Sequence, residues 1–237
     1  MREARRLQLL DFCEKLHIQI QDLSLLDMAL THSSYAHEAK TTPKPQYNER
    51  IEFLGDSVLS IVVSTYMYNN YHKLAEGELT KIRAYLVCEG SLHEFAQKIH
   101  LGDYLLLGRG EELNGGRERA SILADAFESV LGAVYLDKGF DYVQKFLLSL
   151  MQSEIDSVCT HGIFSDYKSH LQELLQSKGD ALLVYREVSS TGPEHNKTFF
   201  CEVLYNDEVI GIGSGHRKKD AEQNAAKSAL EKLQLQK

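Results

Sequence analysis

Apolar residues recur at three- and four-residue spacing through the first two thirds of the chain. Leu92, Phe95, Ala96 and Ile99 form one such run, a period that gathers them on one face of a helix. From Leu7 to about Ser157 the pattern predicts helix after helix. The punctuation is short: Thr41 to Gln46 with two prolines, Glu76-Gly77, Gly102-Asp103, Asn114-Gly115-Gly116 and Lys138-Gly139. The segment shows no strand alternation, repeat or low-complexity tract, so it reads as an all-α domain.

The pattern changes near His161-Gly162. Asp166 to about Ser177 reads as a helix. Leu183 to Val188, Thr198 to Tyr205 and Val209 to Gly213 read as strands. Ser189 to Asn196 is expected to be a polar turn, and Asn206-Asp207-Glu208 a tight one. Lys218 to Leu235 reads as a last helix, with Ala225, Ala226, Ala229, Leu230 and Leu233 on one stripe. The expected organisation is therefore an all-α domain over 1–160, a linker over 161–165, and a small α-β-β-β-α domain over 166–237.

Composition is consistent with two modest cores. Of 237 residues, 43% are hydrophobic and 25% charged, an ordinary globular balance. No apolar run approaches the roughly 18 residues of a spanning helix, so no membrane partner is expected. The basic start, Met1 to Arg6, has no apolar stretch behind it, which argues against a signal peptide and for a cytoplasmic protein. Cys13, Cys88, Cys159 and Cys201 are scattered, without the pairing of a zinc site or a disulfide framework. The net charge is −8; residues 165–237 carry 10 Lys+Arg against 11 Asp+Glu, and residues 1–164 carry 16 against 23. Global charge gives no support to nucleic-acid binding, which must rest on local clusters.

The densest chemistry lies in Asn48-Glu49-Arg50-Ile51-Glu52-Phe53-Leu54-Gly55-Asp56-Ser57. On a helix Glu49, Glu52 and Asp56 fall within about a 60° arc, opposite Ile51, Leu54 and Val58. A second helix, Leu123 to Leu136, carries Asp125 and Glu128 one turn apart, opposite Phe127, Val130 and Val134. Two solvated acidic faces would be the plain alternative. Against it, the second pair sits in an otherwise apolar helix. Like charges about 4 Å apart there repel by several kcal/mol. Hard divalent cations relieve such repulsion, and all-oxygen ligands suit Mg²⁺. Metal and carboxylates together can activate water against a phosphodiester.

Asn48 to Leu59 closely resembles the signature of the ribonuclease III family, and Ile122-Leu123-Ala124-Asp125 with Glu128 resembles its second acidic helix. The resemblance implies Mg²⁺, with Mn²⁺ able to substitute, ligated by Glu52, Asp125 and Glu128. Asp56 and Glu128 would be catalytic and Glu49 a supporting acid. Phe53 lies about 40° from Glu49, at the edge of the acidic face; the resemblance implies that it plugs a pocket on a second subunit of a homodimer. Leu30-Thr31-His32-Ser33-Ser34, Glu76 to Arg83-Ala84 and Gly115 to Arg119 also match. His32 could be a general base, but a helix-start histidine is the better reading. Arg117 and Arg119 suit either phosphate contact or a solvated loop.

The last 70 residues resemble a double-stranded RNA-binding domain, most closely at Gly213-Ser214-Gly215-His216-Arg217-Lys218-Lys219-Asp220-Ala221-Glu222. Cations at a helix N-terminus oppose its dipole by about 0.3–1 kcal/mol each. Phosphates arriving there would explain Lys218 and Lys219. The resemblance adds His195, near 2′-hydroxyls in a minor groove, and Gln172, on a helix along another. Together these features imply an endoribonuclease that cuts both strands of duplex RNA, leaving 5′-phosphates and short 3′ overhangs. One catalytic and one binding domain resembles the bacterial form, which implies structured rRNA, mRNA and tRNA precursors as substrates. A non-catalytic duplex binder would have no reason to keep five carboxylates near phosphates. A metal phosphohydrolase for small substrates would not explain the second domain.

Overall fold

The computed structural model describes residues 3–161, 167–176, 182–192, 197–215 and 217–234. The chain divides into two compact units, 1–162 and 163–237. The expected linker, 161–165, lies outside the described residues except for His161, which ends a helix.

The first unit is helical: α1 (Glu3–Lys15), α2 (Leu23–Ala29), α3 (Ser33–Glu38), α4 (Glu49–Asn70), α5 (Glu76–Leu86), α6 (Glu89–Lys98), α7 (Arg109–Leu113), α8 (Ala120–Lys138) and α9 (Phe140–His161). Short 3₁₀ turns at Leu101–Tyr104 and Gly116–Glu118 complete it. The α8 helix forms the centre. Ile122, Leu123, Ala126, Phe127, Val130, Leu131, Ala133 and Val134 are all buried, and α2, α4, α6 and α9 pack around it. It ends at Gly139, whose φ of +78° favours glycine.

The α4–α8 contact sets the geometry of the unit. A Cβ on Gly55 would stand 1.8 Å from the Glu128 carbonyl oxygen, and one on Gly132 would stand 2.4 Å from that of Ile51. Two glycines thus let the helix backbones touch, closer than any side-chain contact allows. The entry to α4 is pinned as well: the Asn48 amide donates to the Thr31 carbonyl at 3.0 Å. The Ser129 hydroxyl of α8 donates to the Asp125 carbonyl at 2.8 Å and reaches that of Asn48 at 3.5 Å.

The second unit consists of α10 (Tyr167–Gln176), strands β1 (Leu183–Thr191), β2 (Thr198–Tyr205) and β3 (Glu208–Gly215), and α11 (Lys218–Gln234). The strands form an antiparallel sheet in the order β1-β2-β3. Its core joins Leu171 and Leu175 of α10, Cys201 and Val203 of β2, and Ala221, Ala225, Ala226, Ala229 and Leu230 of α11. The α-β-β-β-α order is the one expected. Three strand ends differ. Strand β1 continues through Ser189, Ser190 and Thr191, which pair with Phe200, Phe199 and Thr198 after a register shift beyond Glu187. These polar residues were expected in a turn, but strand pairing uses backbone groups and is indifferent to them at an exposed edge. Strand β3 begins one residue earlier than expected, because Asn206 and Asp207 alone form the turn, both with positive φ, and ends two later, with Ser214 and Gly215 paired to Phe200 and Phe199.

Candidate active site and duplex-binding surface

The glycine crossing decides which carboxylates meet. Glu49 and Glu52 occupy the first turn of α4, and Asp56 follows Gly55. Glu128 offers its carbonyl to Gly55 from across the contact, and Asp125 lies one turn earlier on α8. Glu52, Asp125 and Glu128 are half-buried, whereas Glu49 and Asp56 are exposed. All five carboxylates expected from the sequence therefore border one crossing.

Their electrostatics reflect that crowding. Burial, then the charges of Asp56, Glu52 and Asp125, pushes Glu128 up to about 8. Burial, then Asp125, Glu49 and Asp56, pushes Glu52 up to about 7. Asp125 is also raised, by burial and by Glu89, while His32 pulls it down. None of the five side chains has a hydrogen bond or ion pair among the described residues. The donor set is all oxygen, excess in negative charge and without internal cations, which suits a hard divalent ion. As the side chains stand, no three acidic, His or Cys groups among the described residues converge on one ion position.

Sequence reasoning missed three contributors. Glu89 begins α6 and faces Asp125 only because α6 packs on α8; no periodicity links it to the other acids. Gly55 and Gly132 carry no chemistry of their own, and their role depends on a contact between helices far apart in sequence.

Contacts bear on His32, Arg117 and Arg119 as well. His32 is the N-cap of α3: its Nδ1 accepts from the Ser34 amide at 3.3 Å and lies 2.8 Å from the Ser34 hydroxyl. It is the helix-start histidine. Arg117 is an internal clamp. Its Nε and Nη2 hold Glu112 at 2.6 and 2.7 Å, and its Nη1 donates to the carbonyls of Gly102 and Leu105. Arg119 is paired with Glu111 at 2.7 Å.

A family model for ribonuclease-III-like domains matches residues 22–155, and one for the double-stranded RNA binding motif matches residues 167–233. The chain belongs to the ribonuclease III family. It is similar to the Ribonuclease 3 of Clostridium tetani, 46% identical over 98% of this chain and 97% of that protein. The Ribonuclease 3 of Clostridium perfringens is 50% identical over 91% and 90%. A solved nuclease domain of ribonuclease III from Campylobacter jejuni aligns with a TM-score of 0.55 and 42% identity, over 60% of this chain and 94% of that one. That study concerns flexibility in a region of the Campylobacter domain involved in dimer formation. Membership of the ribonuclease III family makes the chain an endoribonuclease, and the second unit is its double-stranded RNA-binding domain.

Outside the acidic cluster, α4 exposes a set of apolar side chains. Phe53 is 78% exposed, Tyr68 73% and Ile61 54%, and all three share a face within about 80°. On the RNA-binding domain, Gln172, Lys218 and Lys219 are exposed. Lys219 has no ion pair among the described residues, whereas Lys218 is held by Glu187 at 2.8 Å. Lys218 thus has an internal anion as well as an exposed face. His195 lies outside the described residues.

Proposed function

We propose that the chain is a Mg²⁺-dependent ribonuclease III that hydrolyses both strands of duplex RNA as a homodimer, leaving 5′-phosphates and short 3′ overhangs. The observation that carries this reading is the set of carboxylates, unpaired among the described residues, gathered at a glycine-mediated crossing of two helices, in a chain that also holds a double-stranded RNA-binding domain. Glu52, Asp125 and Glu128 hold the cation, which when bound polarises a phosphoryl oxygen and lowers the pKa of water. Asp56 and Glu128 stand beside the attacking water. Glu128, half-buried on α8, is the one placed to act as the base. Its carboxylate oxygen takes the proton as the water oxygen bonds to phosphorus and the bond to the 3′-oxygen breaks, the 3′-oxygen leaving with the bonding electron pair and taking a proton from solvent water. Glu49 adds negative charge behind Glu52.

The stripe of Phe53, Ile61 and Tyr68 is covered by a second copy, in keeping with the dimer-forming relative, and each subunit cuts one strand. The second domain holds A-form duplex through Lys218, Lys219, Gln172 and His195, reading shape rather than sequence. Its substrates are structured rRNA, mRNA and tRNA precursors in the cytoplasm; no described helix is long and apolar enough to cross a membrane. The test is cleavage of a long RNA duplex in Mg²⁺, in Mn²⁺ and in chelator, with end-group analysis. Products with 5′-phosphates and paired 3′ overhangs, absent in chelator, are expected. Cutting that persists in chelator refutes the reading.

A further inference from the structure

Alternation along β1 places Leu183, Tyr185 and Glu187 on one face, opposite Tyr205, Val203 and Cys201 of β2. Residues directly opposed in a sheet point the same way. Val203 and Cys201 are buried, so this row faces the helices. A carboxylate at the third position takes a place where the strand's pattern calls for an apolar side chain, and it reaches a cation at the start of α11. The Lys218 ammonium lies 2.8 Å from the Glu187 carboxylate. The same ammonium lies 5.7 Å from the centre of the Phe199 ring, with Lys197 5.6 Å from it. The pair is partly exposed, at 67% for Lys218 and 41% for Glu187, so a phosphate can approach it. No comparable acid holds Lys219 among the described residues.

We propose that Glu187 is an internal competitor for the RNA backbone, occupying Lys218 with a carboxylate that a phosphate must displace. This rests on the proposed phosphate contact of Lys218. Glu187 thereby sets duplex affinity without touching RNA bases. It also makes the two adjacent lysines unequal: Lys219 is ready for a phosphate, and Lys218 must first break a pair.

The test is binding of a 20-base-pair RNA duplex to the full chain in Ca²⁺ or chelator at several salt concentrations. The proteins are wild type, Glu187→Gln, Lys218→Ala, the double variant, and Glu231→Gln as a charge control at an exposed site on α11. Glu187→Gln is expected to bind about two- to fivefold tighter at low salt, since an exposed pair is weak and the gain is screened. The gain should vanish on the Lys218→Ala background, and Glu231→Gln should show much less of it. An affinity for Glu187→Gln equal to or below wild type, while Lys218→Ala weakens binding, overturns the competitor role alone. A gain that persists without Lys218 overturns it too, as general charge removal. If Lys218→Ala has no effect even in the Glu187→Gln protein, the phosphate contact itself falls. Circular dichroism of each variant separates a folding defect from a change in affinity.

Discussion

Replacing Glu128 by Gln should stabilise the catalytic domain by an amount that grows as pH rises from about 5 to about 8. The glutamate goes from an ordinary 4.5 to about 8 on folding. A carboxyl raised in this way binds its proton more tightly in the folded state, so stability is full below pH 4.5 and is lost as pH rises through about 8. At about 1.4 kcal/mol per pH unit, the whole displacement corresponds to roughly 4–5 kcal/mol. Part of it comes from Asp56, Glu52 and Asp125, and solvent screens exposed Asp56, so about 2–4 kcal/mol should be recovered. For a domain of this size that is roughly 5–10 °C in Tm. The assay is thermal unfolding of wild type and Glu128→Gln in chelator at pH 5 and pH 8.5. The variant should match wild type at pH 5 and exceed it at pH 8.5. Excess Mg²⁺ at pH 8.5 should then stabilise wild type more than the variant. Equal melting at both pH values would mean that the carboxylates repel far less than their burial and spacing imply. A variant less stable at pH 8.5 would mean that Glu128 has a partner.

Gly55→Ala should abolish cleavage with every carboxylate intact, because a Cβ 1.8 Å from the Glu128 carbonyl forces α4 off α8; an overpacked crossing of this kind costs about 3 kcal/mol or more, visible in urea unfolding. Phe53→Glu should shift the protein toward monomer in sedimentation and remove double-strand cuts. Phe53 is 78% exposed, so monomer stability should change by less than about 0.5 kcal/mol, and a melting point far below wild type would refute a purely interfacial role. Replacing Lys218 and Lys219 with Ala should weaken duplex binding for all sequences and reduce the log–log salt slope by roughly 2; an unchanged slope would return both to the solvated surface.

Much of the site was readable because its residues repeat within single elements. Glu49, Glu52 and Asp56 share a face at helical spacing, as do Asp125 and Glu128, and Ile51, Val58, Phe127, Val130 and Val134 are buried on the opposite sides as periodicity requires. What could not be read depends on contacts between elements. Nothing local marks Gly55 as the partner of α8, or Glu89 as the neighbour of Asp125. Arg117 looked free because its loop is polar, yet Glu112 and two carbonyls fix it. Serines and threonine made the end of β1 look like a turn, because side-chain type is a poor guide where only backbone pairs form. Glu187 passed unnoticed in a strand for the same reason: its meaning lies in Lys218, across the domain core.

The density of information in α4 has a geometric cause. At about 100° per residue, Ile51, Gly55, Val58 and Val62 lie within about 60° of one another and face the core and α8. The acids follow next around the cylinder, roughly 100–160° from Ile51. Phe53, Ile61 and Tyr68 come after them, at roughly 200–280°. The acidic face therefore has a buried wall on one side and an exposed apolar stripe on the other. A second copy covering that stripe would stand beside the carboxylates and strip water from Glu52 further, raising the value of a cation there. Association and metal binding would then reinforce one another through a single helix. Phe53 and Glu52, adjacent in sequence, serve these two events from adjoining faces.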